Sequence, residues 1–527
     1  MQVEGHRRRL LGHDHSVRNY YVARVPGHPA STTAIRLHPD DDVAIAMVDL
    51  HPGAETTGGT KVVEPVPVGH KLAIAEIAAG QRVHKGGHPI GVATRPIRPG
   101  MHVHTQNLGT IEPDDSPHGE PARPGPVTDR WSRVDFDGFH RADGRVGTRN
   151  HLLVLPSVNC SATVARAIAD RLRPHLPAGV DGVWALTHQS GCGIAAEGPP
   201  IERLRTVLRG YATHPNTAGV LVVGLGCEVN QLPELVTGLP TERLRTLEMQ
   251  QSGGTAASIT AGHATLSELA EIAAGDRRRP APLSELVVGL QCGGSDGFSA
   301  ISANPSLGAA VDLLVAAGGS ALLSETPELI GAIAELQQRA AEDRVSEALA
   351  ERATWWTRHA AEHGTTLDAN PSPGNLAGGI TTIVEKSIGA AAKGGTTAVT
   401  EVVPYGVRPD RRGLVVMDSP GYDPVSATGQ IAAGAQVVCF TTGRGSCFGS
   451  VPAPALKLST TSELARRMPD DIDLDCGTVL TGDETTAEVG ERILAAIVAT
   501  ASGQPTCSER LGYGLDEFVP WTEGITL

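Results

Sequence analysis

Two textures of hydrophobic pattern divide the chain. From Ala34 to about Leu108 the apolar runs are short, as in "KLAIAEI" and "PIGVAT". Turn signals cut them at His-Pro-Gly (51–53), Ala-Ala-Gly (78–80), Lys-Gly-Gly (85–87) and Arg-Pro-Gly (98–100). Short runs between closely spaced turns predict a compact β domain over 32–110. Farther along, "HLLVLPSV", "GVLVVGLG", "ELVVGLQCGG", "GLVVMDSPG" and "AQVVCFTTGRG" are continuous apolar runs that end in small or polar residues. Amphipathic stretches such as "SATVARAIADRL" and "IERLRTVLRGY" alternate with them. Unbroken runs suit strands buried on both faces, so this part is expected to be α/β with mostly parallel sheets. In such folds ligands gather at the carboxyl ends of the strands.

The remaining segments lack either pattern. Residues 1–31 are polar and basic without periodicity and are expected to be a disordered tail. Residues 111–135, rich in Pro, Asp and Gly, read as a linker. The α/β region is expected to split after "VEKSIGAAAKGG", giving a first part over 136–395 and a second over 396–527.

Composition narrows the functions. At 527 residues several domains are expected. Aromatics make up only 3%, so the cores must be built from Ala, Val, Leu and Ile. A formal charge of −14 argues against nucleic acid as a partner. A small anionic substrate fits only where local cations meet it. No apolar run approaches a bilayer span, and the basic N-terminus lacks the apolar core of a secretory signal. The expectation is a cytoplasmic protein with no membrane partner, whose eight cysteines are reduced thiols available to metals. A homo-oligomer stays open.

Four cysteines occupy comparable places. Cys160, Cys192, Cys227 and Cys292 each come just after an apolar strand. A single such cysteine reads first as a small buried apolar residue. Four at equivalent ends suggest thiolates converging on iron, as one ion or as an iron–sulfur cluster. Ser161 is a good N-cap for the helix after Cys160, and the helix start would favour a thiolate there. His188 stands close to Cys192, and His214 lies near another strand end. In the β domain His70, Lys71, His102 and His104 concentrate, and His102 and His104 would share one face of a strand. That spacing suits proton transfer or metal binding. "NPSPGNLAGGITTIVEKSIG" (370–389) offers Ser372, Asn375, Thr381 and Thr382 as donors, with Lys386 as a cation. "TTGRGSCFG" adds Arg444, whose guanidinium can grip a carboxylate. No GxGxxG after a strand and no phosphate-loop motif occurs, so nucleotide binding has no support.

These motifs, taken in order, resemble a known family. "DGRVGTRN", "HQSGCG", "HPNTAGVLVVGLGCEVNQ", "QCGGSDGFSAISANPSLG", "NPSPGNLAGGITTIVEKSIG" and "TTGRGS" are similar to the altronate/galactarate dehydratases, the altronate branch most of all. "GHKLAIAEIAAGQRVHKGGHPIGVAT" through "HVHTQN" resembles their N-terminal SAF-type β-clip domain. The resemblance implies a hydro-lyase that converts a sugar acid to a 2-keto-3-deoxy acid with Fe2+, with Mn2+ or another divalent ion, or an iron–sulfur cluster, as alternatives. It implies His70, Lys71, His104, His188 and Lys386 as catalytic residues. Substrate contacts would come from Arg149, Asn150, Ser295, Asp296, Ser372, Asn375, Thr381, Thr382 and Arg444. Cys192, Cys227 and Cys292 would be metal ligands, and the strand-end position of Cys160 adds it as a further candidate. The family often has His-Thr-His-Asn where this chain has His104-Thr105-Gln106-Asn107, and Gln106 cannot titrate. Two other readings are a lyase that eliminates sulfite from a sulfonated hydroxy acid and a non-catalytic sugar-acid-binding protein.

Overall fold

The computed structural model of the chain describes residues 32–111 and 130–524. The expected tail and most of the expected linker lie outside the described residues. The linker's last residues do not run free. Trp131, in a short turn at Trp131–Arg133, is buried in the same core as Leu290 and Leu307.

The N-terminal domain consists of two small antiparallel sheets. One orders Ala34–Ile35, Val43–Ala46, Lys71–Ala73 and His102–Val103 side by side. The other joins Arg82–Lys85, His88–Ala93 and Leu108–Gly109. Val43, Ile77, Val83, Ile90, Ile97 and Val103 fill the space between them. Burying short apolar runs on one side only is what the frequent turns allow.

Two parallel sheets follow, as the continuous apolar runs require. The first has four strands in the order Gly182–Ala185, His151–Pro156, Thr217–Gly224, Leu244–Glu248. The second has seven: Val399–Val403, Gly413–Met417, Ser320–Leu323, Val287–Cys292, Val437–Thr442, Ala455–Ser459 and Leu474–Asp475. Between them in the chain, Arg278–Pro282 pairs antiparallel with Asp135–His140. The division expected at residue 395 does not separate two sheets. Ser320–Leu323, before that point, pairs directly with Gly413–Met417, after it. The sheets part instead between Leu244–Glu248 and Val287–Cys292.

With so few aromatic side chains, helices must come close. The helices Ala303–Ala316 and Thr486–Ala501 pack through Gly490, where a Cβ would lie 2.6 Å from the Ala309 Cβ. Among the described residues no helix is long and apolar enough to cross a membrane.

The β domain docks on the C-terminal part by a tight glycine contact and by charge. A Cβ at Gly297 would stand 2.0 Å from the Gly69 carbonyl oxygen, so only glycine lets these backbones meet. Lys71 and Lys85 reach across to Glu385, and the Thr382 hydroxyl donates to the Ile90 carbonyl at 2.6 Å.

Candidate functional site

The strand Val287–Cys292 runs through the middle of the seven-stranded sheet and ends in Gly293 and Gly294. Both glycines are required there. Gly294 has φ +62°, and a Cβ on Gly293 would sit 2.2 Å from Asp423 Oδ2. The bare backbone thus leaves room for a carboxylate at the end of the strand. A cavity of about 550 Å³ opens here, lined by Cys292, Ser295, Glu328, Asn370, Lys386 and Asp423 together with Ser372, Asn375 and Tyr422. This is the carboxyl edge of a parallel sheet, where binding sites are expected.

Charge is concentrated below that opening. Lys393 Nζ donates to Cys292 Sγ at 2.9 Å and to Glu325 Oε2 at 3.0 Å. Lys386 Nζ donates to Glu328 Oε1 at 2.7 Å and to Asn370 Oδ1 at 2.8 Å. Glu325 comes two residues after the strand Ser320–Leu323 and holds φ +67°, the one positive φ on a non-glycine residue among those described. Such a backbone costs of order 1–3 kcal/mol and persists where the surroundings fix it. Its amide, held by the Ser419 hydroxyl at 2.9 Å, and its ion pair with Lys393 do so here.

Burial sets the protonation of these groups. It lifts the Glu325 carboxyl to about 8 against the pull of Lys393. Burial and the neighbouring Glu328 lift Asp423 to about 7. The Cys292 thiol is pushed up to about 11 by burial, with Lys393 opposing. Burial works against the Lys386 charge, yet Glu328 carries its pKa above the ordinary lysine value. At neutral pH the cavity therefore holds charged lysines beside a carboxyl group, Asp423, poised between its two forms.

The donor set fits a divalent metal ion. Cys292, Glu325 and Glu328 bring one ligand atom each to within 4.8 Å of one another. Glu325 Oε1 and Glu328 Oε2 are buried without a hydrogen-bond partner. Two buried carboxyl oxygens without a partner are costly unless a proton or a cation meets them, and the proton Glu325 carries below about pH 8 marks a place that a metal ion could take. A mixed thiol and carboxylate set suits Fe2+, Mn2+ or Zn2+ more than Ca2+.

Some residues expected from the sequence converge on this cavity and others do not. Lys386, Ser295, Ser372, Asn375 and Cys292 line it. Ser372 and Asn375 also form a capping box on the short helix Pro373–Ala377, and Asn375 Nδ2 donates to the Ser295 carbonyl at 2.9 Å. Asp296 turns inward, where it accepts from Ser299 Oγ at 3.0 Å and Thr460 Oγ1 at 3.1 Å. Arg444 is exposed, and its backbone amide donates to the Gly294 carbonyl.

The others serve as structural ties. Arg149 grips Glu509 with two bonds of 2.6 and 2.8 Å and donates to the Thr500 carbonyl. Asn150 Nδ2 is shared between the carbonyls of Gly179 and Ala273. His188 is buried, its Nε2 2.9 Å from the Pro156 carbonyl and its Nδ1 accepting from the Ser190 amide. Thr381 donates to Glu385 at 2.7 Å, and Thr382 caps the helix Ile383–Ala392. Lys71 is wholly buried against Glu385 and the Gly379 carbonyl, with no face toward the cavity.

His70, His102 and His104 do meet, at the seam between the β domain and the helix Pro373–Ala377. Their ring centroids are 5.0 to 5.3 Å apart, and His70 Nδ1 lies 3.0 Å from His102 Nε2. His70 Nε2 and His104 Nε2 face the carbonyls of Ala377 and Leu376. Burial lowers all three, His102 to about 3, so the cluster is neutral at pH 7. Gln106 donates to the His102 carbonyl at 3.1 Å. The trio thus braces the helix whose Ser372 and Asn375 line the cavity.

The metal ligands expected from sequence divide between two sheets. Cys292 belongs to the cavity, whereas Cys160, Cys192 and Cys227 lie at the carboxyl end of the four-stranded sheet. Ser161 does not cap its helix. Its hydroxyl donates to the carbonyls of Val158 and Val223. Sequence reasoning missed Glu325, Glu328, Lys393 and Asp423. The signal was available, because Glu325 ends the apolar run "SALLSE" and Asp423 follows "GLVVMDSPGY".

Comparison with known proteins accounts for nearly the whole described chain. Residues 32–111 match the altronate/galactarate dehydratase SAF domain. Residues 138–274 match the second domain of D-galactarate dehydratase/altronate hydrolase, and 283–526 the C-terminal domain of D-galactarate/altronate dehydratase. The altronate dehydratase of Escherichia coli (strain K12) is 37% identical over 505 residues, covering 94% of this chain and 99% of its own length. That of Bacillus subtilis (strain 168) is 36% identical over 94% of this chain and 99% of its own length. The galactarate dehydratase (L-threo-forming) of Escherichia coli (strain K12) is 37% identical, covering 91% of this chain and 94% of its own length. With all three of its domains matched in order, the chain belongs to the altronate/galactarate dehydratase family, a family of hydro-lyases.

Proposed function

We propose that the chain dehydrates a sugar acid, altronate first, to a 2-keto-3-deoxy acid in the cavity at the end of the strand Val287–Cys292. The observation that carries this is the meeting of Lys386, Glu328 and Asp423 around one opening with two unpartnered carboxylate oxygens beneath it. The proton on C2 of such an acid is weakly acidic because its loss places charge on the neighbouring carboxylate. Lys386 stands where its ammonium can meet that developing charge, with Glu328 and Asn370 fixing its position. Asp423, held near pKa 7, is the group suited to take the proton and return it as the C3 hydroxyl leaves. Ser295 and Ser372 offer hydroxyls to the polyol chain. Cys292, Glu325 and Glu328 would hold Fe2+, or Mn2+ in its place. When bound, that ion supplies Lewis acidity toward the substrate's oxygens.

Galactarate is the second substrate reading, favoured by the equal identity to a galactarate dehydratase. The test is anaerobic turnover of D-altronate and galactarate, with and without added Fe2+, following the 2-keto-3-deoxy product. Iron-dependent product from altronate is the expected result. Product from galactarate alone would move the substrate, and sulfite release from a sulfonated hydroxy acid alone would replace the reaction. Binding of either acid without turnover at any metal would leave a binding protein.

A further inference from the structure

Three thiols outside the cavity have no role in the reaction described above. Cys160, Cys192 and Cys227 are exposed, whereas Cys292, Cys439, Cys476 and Cys507 are buried. Cysteine is among the most buried residue types, so packing does not explain three exposed ones on one rim. Their strands are neighbours. His151–Pro156 lies between Gly182–Ala185 and Thr217–Gly224, all parallel, so the loops carrying the three thiols leave the same edge.

The loops are tied to one another. The Asn159 amide donates to the Ser190 carbonyl at 2.9 Å, and Asn159 Nδ2 to that of His188 at 3.1 Å. The Asn230 amide donates to the Gly191 carbonyl at 3.0 Å, and Asn230 Nδ2 to that of Ser157, also at 3.0 Å. Ser157 Oγ donates to Glu228 at 2.6 Å. Each cysteine is thus within three residues of a bond to another cysteine's loop. Gly191 sits at φ +100°, and a Cβ there would meet the Ser157 carbonyl oxygen at 2.4 Å. The thiols are therefore presented from a fixed frame, with little ordering left to do on binding a group.

We infer that Cys160, Cys192 and Cys227 together hold an iron–sulfur cluster of the [4Fe–4S] type through three thiolates, leaving one iron without a protein ligand. Two observations favour a cluster over one ion. Thiolates on a single tetrahedral ion stand about 3.8 Å apart, from metal–sulfur bonds of about 2.3 Å. Among the described residues the one trio of ligand atoms all within 4.8 Å is Cys292, Glu325 and Glu328, so these three sulfurs are spread more widely. A cluster several atoms across takes thiolates set farther apart than one ion does. His188, four residues before Cys192, has both ring nitrogens engaged with backbone. Cys160 is also the middle residue of the turn Asn159–Ser161 that leads into the helix Ala162–Leu172, whose amino end favours an anionic group. The assignment does not depend on which acid the chain dehydrates.

The full chain, purified and reconstituted anaerobically with ferrous iron and sulfide, is the material to test. About four acid-labile sulfides and about five irons per chain, four in the cluster and one in the cavity, with a broad visible absorption, are expected. Cys160→Ser, Cys192→Ser and Cys227→Ser should each lose the sulfide and the absorption, while Cys447→Ser, at the other exposed cysteine, keeps both. Brief oxidation should release the iron that lacks a thiolate and leave a paramagnetic three-iron cluster. Should a serine variant misfold, alkylation of the wild type read by mass spectrometry decides. The loaded chain should shield these three thiols, and the stripped chain should expose them. Iron without labile sulfide, zinc held in its place, or sulfide retained by all three serine variants would overturn the assignment.

Discussion

Lys71 Nζ, on the β domain, lies 2.9 Å from Glu385 Oε2, on the C-terminal part, and both side chains are withdrawn from water. Lys85 Nζ completes the arrangement at 2.7 Å from Oε1. Burial opposes the Glu385 charge, but the two lysines hold its carboxyl well below the usual range. Removing one partner of a buried pair costs about 3–5 kcal/mol, because the remaining charge stays buried. Lys71→Met should lower the melting temperature and speed proteolytic release of the β domain. Adding both Lys85→Met and Glu385→Gln, which removes every buried charge of the trio, should restore part of the loss, as calorimetry on the two variants would read.

Lys386→Met should reduce kcat/KM and, by leaving Glu328 buried without its counter-charge, should also lower the melting temperature, so activity is compared well below the variant's unfolding transition. By analogy with other preorganised charge donors the fall in kcat/KM should be about 10²–10³-fold. Steady-state kinetics at saturating metal measures it. A fall confined to KM would assign Lys386 to ground-state binding alone.

Metal binding at Cys292, Glu325 and Glu328 should stabilise the chain. At a hundredfold excess over Kd the gain is about 2.7 kcal/mol. Anaerobic thermal unfolding with Fe2+ or Mn2+ should therefore show a rise for the wild type. Glu325→Gln and Glu328→Gln should show little or none.

The histidine seam gives the docking a pH dependence. Burial is the main cause holding His70, His102 and His104 below the ordinary imidazole value, His102 at about 3. A lowered folded-state pKa means that the unfolded chain binds more protons between that value and about 6.5. The contribution is complete above about pH 6.5 and is lost as pH falls toward 3. His102→Gln should flatten that part of the stability profile, read as melting temperature against pH.

Much of the architecture was legible because it follows from burial. Runs such as "HLLVLP" and "VVGLQC" are apolar throughout, and only strands covered on both faces use them. The boundary at residue 395 misled because linear order does not reveal which strands pair, and Ser320–Leu323 joins Gly413–Met417 across it. The site was legible where backbone geometry demanded special residues, as at Gly293 and Gly294. Arg149 and His188 looked equally chemical in sequence, but their partners are carbonyls and a carboxylate that only the fold brings near. Glu325 and Glu328 were overlooked for the opposite reason. An acidic residue in sequence reads as a solvated one, and although the apolar run before Glu325 marks it as a strand-end residue, nothing local places it beside the thiol of Cys292.

The helix Ile383–Ala392 carries Glu385 and Lys386 side by side, one clasped by the β domain and the other facing the cavity. Assembly and chemistry are thereby wired to the same turn of backbone. A chain whose β domain has come away would strand Glu385 without counter-charge, and relief of that strain would move the neighbouring ammonium. Whatever loosens the β domain thus acts one residue away from the ammonium at the cavity, and a chain with that domain displaced is expected to lose turnover along with it.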